Sequence, residues 1–359
     1  MSPYNDPDAL LVTLPYKHAD GRLISADFYL PHIQRSSSSS QDQNPINLPA
    51  LVYFHGGGLT VGTRESWFPT WLKDRLNSLG ILFISADYRL IPPASGLDLV
   101  DDICDIFKFL SVDRSRIAVA GTSSGGLCAY LAALHAEPKP VAVLNMYAMG
   151  GDFLTPHYLA VKHTPFFRGR EILDPSNFAE FLYPQCTSLE SISESPLAYY
   201  PETAPIPGYP ANPRMLLARL YLQLGVFLDY YTQMYQPSLS LALRGARDDA
   251  ELSEILLSHL SPSHLRLFPQ LQVSSAWPPT FLIHGEADTA VPVLESIHMR
   301  DVLKTAGVDV TLQIVKGLEH SFDYVKDAEA HFSALFDQAA SFLMTRLSDG
   351  VPVAAPGTQ

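Results

Sequence analysis

RIAVAGTSSGG, residues 116–126, decides the fold. Residues 117–120 are a short apolar, β-branched run, and 127–134 are apolar with small residues interspersed. The reading is strand, sharp turn, helix, with Gly121-Thr122-Ser123-Ser124-Gly125 in the turn. A G-x-S-x-G pentapeptide has chemical meaning in that setting, because a strand feeding directly into a helix lifts the serine above the sheet edge. The neighbours of such a serine must be small, which Gly121, Gly125 and Gly126 satisfy. The helix N-terminus behind it favours negative charge. Ser123 is the candidate nucleophile; the alternative is a glycine-rich turn without chemistry.

Working outward, residues 9–16 and 23–30 read as two antiparallel strands turning at Asp20-Gly21. Residues 36–45 (SSSSSQDQNP) read as a polar surface loop. The run at 48–54 is continuously apolar, as a strand covered on both faces requires, and ends in His55-Gly56-Gly57-Gly58. Three consecutive glycines let backbone approach a ligand and leave amides free to point at it. Gly57 and Gly58, with the amide of Ser124, are the expected oxyanion-hole donors, Gly56 remaining an alternative. His55 reads as a strut for that loop.

Helix is expected at 66–79, strand at 81–86, helix at 97–110 and strand at 140–149. Asp101 and Asp102, adjacent on a helix, face different directions and read as a solvated helix start. The alternation gives an α/β fold with a mainly parallel central sheet and helices on both faces. It stops at 152. Residues 152–276 are rich in proline and tyrosine, with helices expected at 216–231 and 250–260, and read as a helical cap insertion. Some of its aromatics, among them Phe153, Tyr158, Phe166, Phe167, Tyr183, Tyr199, Tyr200, Tyr230, Tyr231 and Tyr235, are expected to line an apolar pocket. The sheet resumes at 279–283, followed by a helix to 305, a strand at 308–315 and a helix at 328–347. The division is therefore core 1–151, with the N-terminal segment a candidate part of the cap, then cap 152–276, core 277–348 and a disordered tail at 349–359.

Asp288 follows one strand and His320 follows the last, so the chain presents serine, acid and histidine in that order. Serine is weakly nucleophilic at neutral pH, so His320 must take its proton during attack and return it to the leaving group. Asp288 would hold the imidazole tautomer and stabilise the imidazolium. Each oxyanion donor is worth about 3–4 kcal/mol. Glu286 is a rival acid; His284 and His298 are rival bases. His157 and His163 lack partners at metal-ligand spacing, and there is no HExxH, GxGxxG or P-loop sequence, so no metal or cofactor is implied.

The formal charge of −13, from 37 acidic and 24 basic residues without a basic block, argues against nucleic acid and anionic membranes as partners. Three cysteines, Cys104, Cys128 and Cys186, cannot form a disulfide framework. With no signal pattern, no apolar run of membrane-spanning length and no Asn-x-Ser/Thr acceptor, a cytoplasmic protein without stable membrane anchoring is expected.

The chain resembles the hormone-sensitive-lipase-like group of α/β-hydrolases in HGGG at 55–58, DYRL at 87–90, GTSSGG at 121–126, HGEAD with VP at 284–292, and GLEHSF at 317–322. The resemblance implies a carboxylic ester hydrolase, extending to lactones or thioesters, with an acyl-enzyme intermediate, no cofactor and a small-molecule ester or acyl substrate of apolar character. It leaves a homodimer open. Thr122 stands where the group usually has an acidic residue, and Ser124 where it has alanine, departures that bear on substrate orientation. Two other readings exist on the same fold. One is non-hydrolytic or carbon–carbon bond chemistry (dehydratase, cyclase, C–C hydrolase); the other is a ligand receptor, against which His320 speaks.

Overall fold

The computed structural model describes residues 11–31 and 48–348. The serine-rich loop expected at 36–45 and the tail at 349–359 lie outside the described residues. Eight strands form one sheet in the order β1-β2-β4-β3-β5-β6-β7-β8. They are β1 (Leu11–Ala19), β2 (Arg22–Tyr29), β3 (Ala50–Phe54), β4 (Leu82–Ala86), β5 (Ile117–Thr122), β6 (Val143–Met146), β7 (Thr280–Gly285) and β8 (Val310–Val315). β1/β2 and β2/β4 pair antiparallel, and every later pairing is parallel. Strands β3 to β7 are buried at every residue, which explains their unbroken apolar sequences.

Helices α1 (Thr70–Ser78), α2 (Gly96–Phe109) and α3 (Ser124–His135) follow β3, β4 and β5. Between β6 and β7 the chain leaves the sheet and forms α4 (Pro156–Leu159), α5 (Arg214–Leu224), α6 (Phe227–Thr232), α7 (Leu239–Arg244), α8 (Asp249–His259) and α9 (Pro262–Leu265), with several 3-10 turns. α10 (Val293–Thr305) and α11 (Ala328–Ser348) complete the core. One sheet face packs on α1 and α11, where Trp71 and Phe336 stack at 4.1 Å; α2 and α3 pack on the other. No helix among the described residues is long and apolar enough to cross a membrane.

The direction of winding matters most for function. From β3 the chain moves to β4 on one side, then crosses to β5 on the other. The loops after β3 and β5 therefore diverge above the sheet and open a crevice at its carboxyl edge. Pairing of Phe54 with Gly121 brings the ends of these strands side by side. HGGG at 55–58 and GTSSGG at 121–126, far apart in the chain, become adjacent.

Two readings need correction. The helix expected at 216–231 is two, because Gly225 adopts a left-handed conformation (φ 62°) that ends α5 before α6 begins. Asp102 is not at a solvated helix start. It is fully buried and bonded by Arg89 and by Lys17, whose Nζ lies 2.8 Å away. Its partners come from outside the helix and are invisible to helical periodicity. The cap of α2 is instead Ser95, which forms a reciprocal capping box with Asp98.

Candidate active site

β5 ends one residue before Ser123, whose backbone (φ 54°, ψ −122°) is disfavoured for a side chain with a Cβ. Three hydrogen bonds hold it there: Ser123 N–H to Met146 O at 3.0 Å, and its own carbonyl accepting from Gly126 N at 3.0 Å and Met149 N at 2.9 Å. The turn tolerates no larger neighbour, since a Cβ on Gly125 would stand 2.0 Å from Phe54 O.

Above the sheet edge Ser123 Oγ is 3.0 Å from His320 Nε2, and His320 Nδ1 is 2.6 Å from Asp288 Oδ2. The other Asp288 oxygen accepts from the amides of Ala290 and Val291, both at 2.9 Å. Burial pushes the Asp288 carboxyl up, but the bonds from His284 and His320 hold it well below the usual carboxylate range. The two supporting loops are tied together: Ala287 N donates to Leu318 O, and Glu319 accepts from both Thr289 N and His320 N.

Gly57 (φ 112°) and Gly58 (φ 64°) turn the HGGG loop over Ser123. A Cβ on Gly57 would lie 2.1 Å from Val61 O. Among the described residues no acceptor pairs with the amides of Gly57 or Gly58, which leaves both available to an incoming oxygen. Gly57 and Gly58 border the same cavity as Ser123, and Ser124 opens α3 directly after it.

Residues 51–197 match a family model described as alpha/beta hydrolase fold, and residues 258–345 match one of the prolyl oligopeptidase family. The first match covers the β3 to β6 half of the core and the second the β7 to β8 half. The chain has the α/β-hydrolase fold. It is 28% identical over 309 residues to a probable carboxylesterase M8 of Phoma sp., covering 81% of this chain and 83% of that protein. It is 27% identical over 343 residues to the non-reducing polyketide synthase Preu3 of Preussia isomera, covering 88% of this chain but only 13% of the synthase. Among solved structures, an alpha/beta hydrolase superfamily protein from Enterococcus faecalis superposes with a TM-score of 0.59 at 19% identity, covering 94% of this chain and 99% of that one. An esterase from Pyrobaculum calidifontis gives 0.54 at 21%, covering 94% and 85%.

The rivals for these positions are held elsewhere. Glu286 accepts from Gly317 N on the surface, and His298 Nδ1 sits 2.7 Å from Gly151 O. His284 is buried behind the acid, 3.3 Å from Asp288 Oδ2 and 2.8 Å from Val291 O. His55 braces the oxyanion loop. Its Nδ1 is 2.7 Å from Gly56 O, and its ring stacks on Tyr88 at 4.4 Å. Tyr88 in turn donates to His55 O at 2.8 Å, which gives the DYRL segment a role in holding HGGG. Burial pushes the His55 imidazole down to about 4, so it is neutral at pH 7. Thr122 is turned to Tyr53, their oxygens 2.8 Å apart.

A cavity of about 210 Å³ opens beside Ser123. Its floor is the HGGG loop, Ser123 and His320; its other wall belongs to the segment between β6 and β7. Of the aromatics expected to line it, Phe167 and Tyr199 do, while Phe153, Tyr158, Tyr230 and Tyr231 are buried in the packing of the segment itself. Sequence reasoning missed the face of α5 that faces the cavity, Met215, Ala218, Arg219 and Leu222. Their i, i+3, i+4, i+7 spacing was the available signal. It also missed Tyr147, whose ring meets that of His320 at 4.6 Å and whose hydroxyl donates to the buried Asp323 at 2.6 Å.

Proposed function

We propose that this hydrolase cleaves carboxylic esters through an acyl-enzyme formed on Ser123. The observation that carries the reading is the unbroken chain of hydrogen bonds from Ser123 Oγ through His320 to Asp288. Ser123 Oγ attacks the ester carbonyl carbon as His320 Nε2 takes its proton. The carbonyl oxygen becomes the oxyanion, received by the amides of Gly57, Gly58 and Ser124. Collapse of the tetrahedral species breaks the carbon–alkoxy bond, and His320 returns the proton to the departing alcohol. Water, deprotonated by His320, then attacks the acyl-enzyme, and the acid leaves as Ser123 regains its proton. Asp288, kept ionised, stabilises the imidazolium in both halves. Lactones and thioesters pass through the same tetrahedral species, so the proposal includes them.

The carboxylesterase relative, matched over 83% of its length, supports the ester; the polyketide synthases share only a segment with this chain. The test is initial rates on p-nitrophenyl esters from acetate to palmitate, for wild type and Ser123→Ala. The variant should lose on the order of 10³–10⁶ in rate. Turnover by Ser123→Ala at the wild-type rate would rule out the acyl-enzyme.

A further inference from the structure

The cavity lining includes three arginines, Arg168, Arg170 and Arg219, and no aspartate, glutamate or lysine. That is unexpected in a chain of net charge −13. Arg168 and Arg170 are exposed at the mouth, Arg168 with its Nε 4.0 Å from Glu319 Oε2.

Arg219 differs from both. It is 3% exposed, on a helix whose other cavity-facing residues are Met215, Leu216, Ala218 and Leu222. Its Nη2 donates to Glu171 Oε1 at 3.0 Å, and that carboxylate, mostly exposed, also accepts from Tyr209. Its Nη1 is buried and has no partner among the described residues. A buried guanidinium cannot shed its charge, so an unmet donor on it is costly unless an acceptor arrives from outside. The preceding residue places α5 against the oxyanion loop, because a Cβ on Gly58 would lie 2.2 Å from that of Ala218. Arg219 and the nucleophile therefore line one small cavity.

We infer that Arg219 determines specificity by receiving a carboxylate carried by the substrate away from its scissile bond. The preferred substrates are then carboxylate-bearing esters, such as monoesters of dicarboxylic acids, on an otherwise apolar wall. Arg168 and Arg170 draw the anion to the mouth. Arg219 holds it with charge-assisted hydrogen bonds. This inference rests on the ester-hydrolase reading above.

The test compares kcat/KM for the p-nitrophenyl monoesters of adipate and suberate with that for their methyl-capped counterparts. It uses wild type, Arg219→Met and Arg219→Lys. Wild type should favour the free carboxylate by about 10- to 100-fold, the scale of a charge-assisted hydrogen bond. The ratio should fall to near 1 in Arg219→Met and survive in part in Arg219→Lys. A wild-type ratio of 1 or less, or a ratio unchanged in Arg219→Met, overturns the inference. Calorimetry of monomethyl and dimethyl adipate with Ser123→Ala separates it from the parent reading. If wild type cleaves no ester, the hydrolase reading falls. Tighter binding of the monomethyl ester, lost when Arg219→Met is added, still supports the anion site, and equal binding of the two esters removes it.

Discussion

The two walls of the cavity are built by different rules. The lower wall comes from loops at the carboxyl edge of the sheet: HGGG after β3, the elbow after β5, and the Asp288 and His320 loops after β7 and β8. The first three follow fully buried strands, the last is tied to its neighbour by the bond from Ala287 N to Leu318 O, and close approaches such as Gly125 to Phe54 O leave no room for a Cβ. The upper wall comes from the segment between β6 and β7, whose short helices hold position through side chains. Arg214 on α5 bonds the carbonyls of Thr60 and Pro92, and Tyr221 stacks on Tyr230 at 3.8 Å. Backbone-fixed geometry suits groups that must meet a transition state, whereas a wall of side chains can change while the chemistry stays. Variants of the lower wall should therefore change turnover for every ester alike, and variants of the upper wall should redistribute activity among esters.

The largest effect is expected from Asp288→Asn. The amide can hold the imidazole in the wrong tautomer and cannot stabilise its charge, so kcat should drop about 10⁴-fold. Rates on acetate, butyrate and octanoate esters should fall by the same factor. A variant at 288 that altered chain-length preference would break the division between the walls. Gly57→Ala comes next. Its Cβ would displace the loop from Val61 O and swing an amide off the oxyanion, for a loss of about 10²–10³ in kcat with KM little changed. Burst and steady-state kinetics on one ester would separate the two constants; a change confined to KM would count against Gly57 as a donor.

Legibility in the sequence follows the same division. Ser123, Asp288, His320 and the glycines could be picked out because each sits at a strand end, where local sequence dictates the backbone. The structure brings them together where strand order predicts. The break between α5 and α6 was written in Gly225 but hidden by apolar spacing that runs on past it. Asp102 and Arg219 were not legible in the same way. A buried charge is set by partners far along the chain, Lys17 and Arg89 for the first and Glu171 for the second. Nothing in a helix's own periodicity names them. How the segment between β6 and β7 drapes over the sheet is a tertiary outcome, and the residues it presents to the cavity follow from that.

A third prediction concerns the lower wall's rigidity. His55 is fully buried with its pKa lowered to about 4. Between pH 6.5 and 4 the unfolded chain takes up a proton that the folded one refuses, so stability is complete above pH 6.5 and falls as pH drops toward 4. The contribution lost is about 3 kcal/mol. Urea unfolding across that range should show a shallower decline for His55→Gln than for wild type, although the variant starts less stable. Parallel slopes would mean that this imidazole is not the group being protonated.

The smallest effect is expected at the upper wall. Met215 is half-buried on the cavity face of α5, away from the relay of Ser123, His320 and Asp288. Met215→Ala removes apolar wall and opens space. Each methylene that fills such space is worth about 0.8 kcal/mol, or roughly fourfold in kcat/KM. The optimum across the ester series should thus move toward longer acyl chains, with about a tenfold change in the ratio of octanoate to acetate. A uniform fall across the series would mean that α5 also fixes the oxyanion loop through Ala218 and Gly58, and the two walls would then be one mechanical unit. A shifted optimum at nearly constant maximal kcat would show that this fold can change its substrate by changing one helix face, with the sheet edge left as it is.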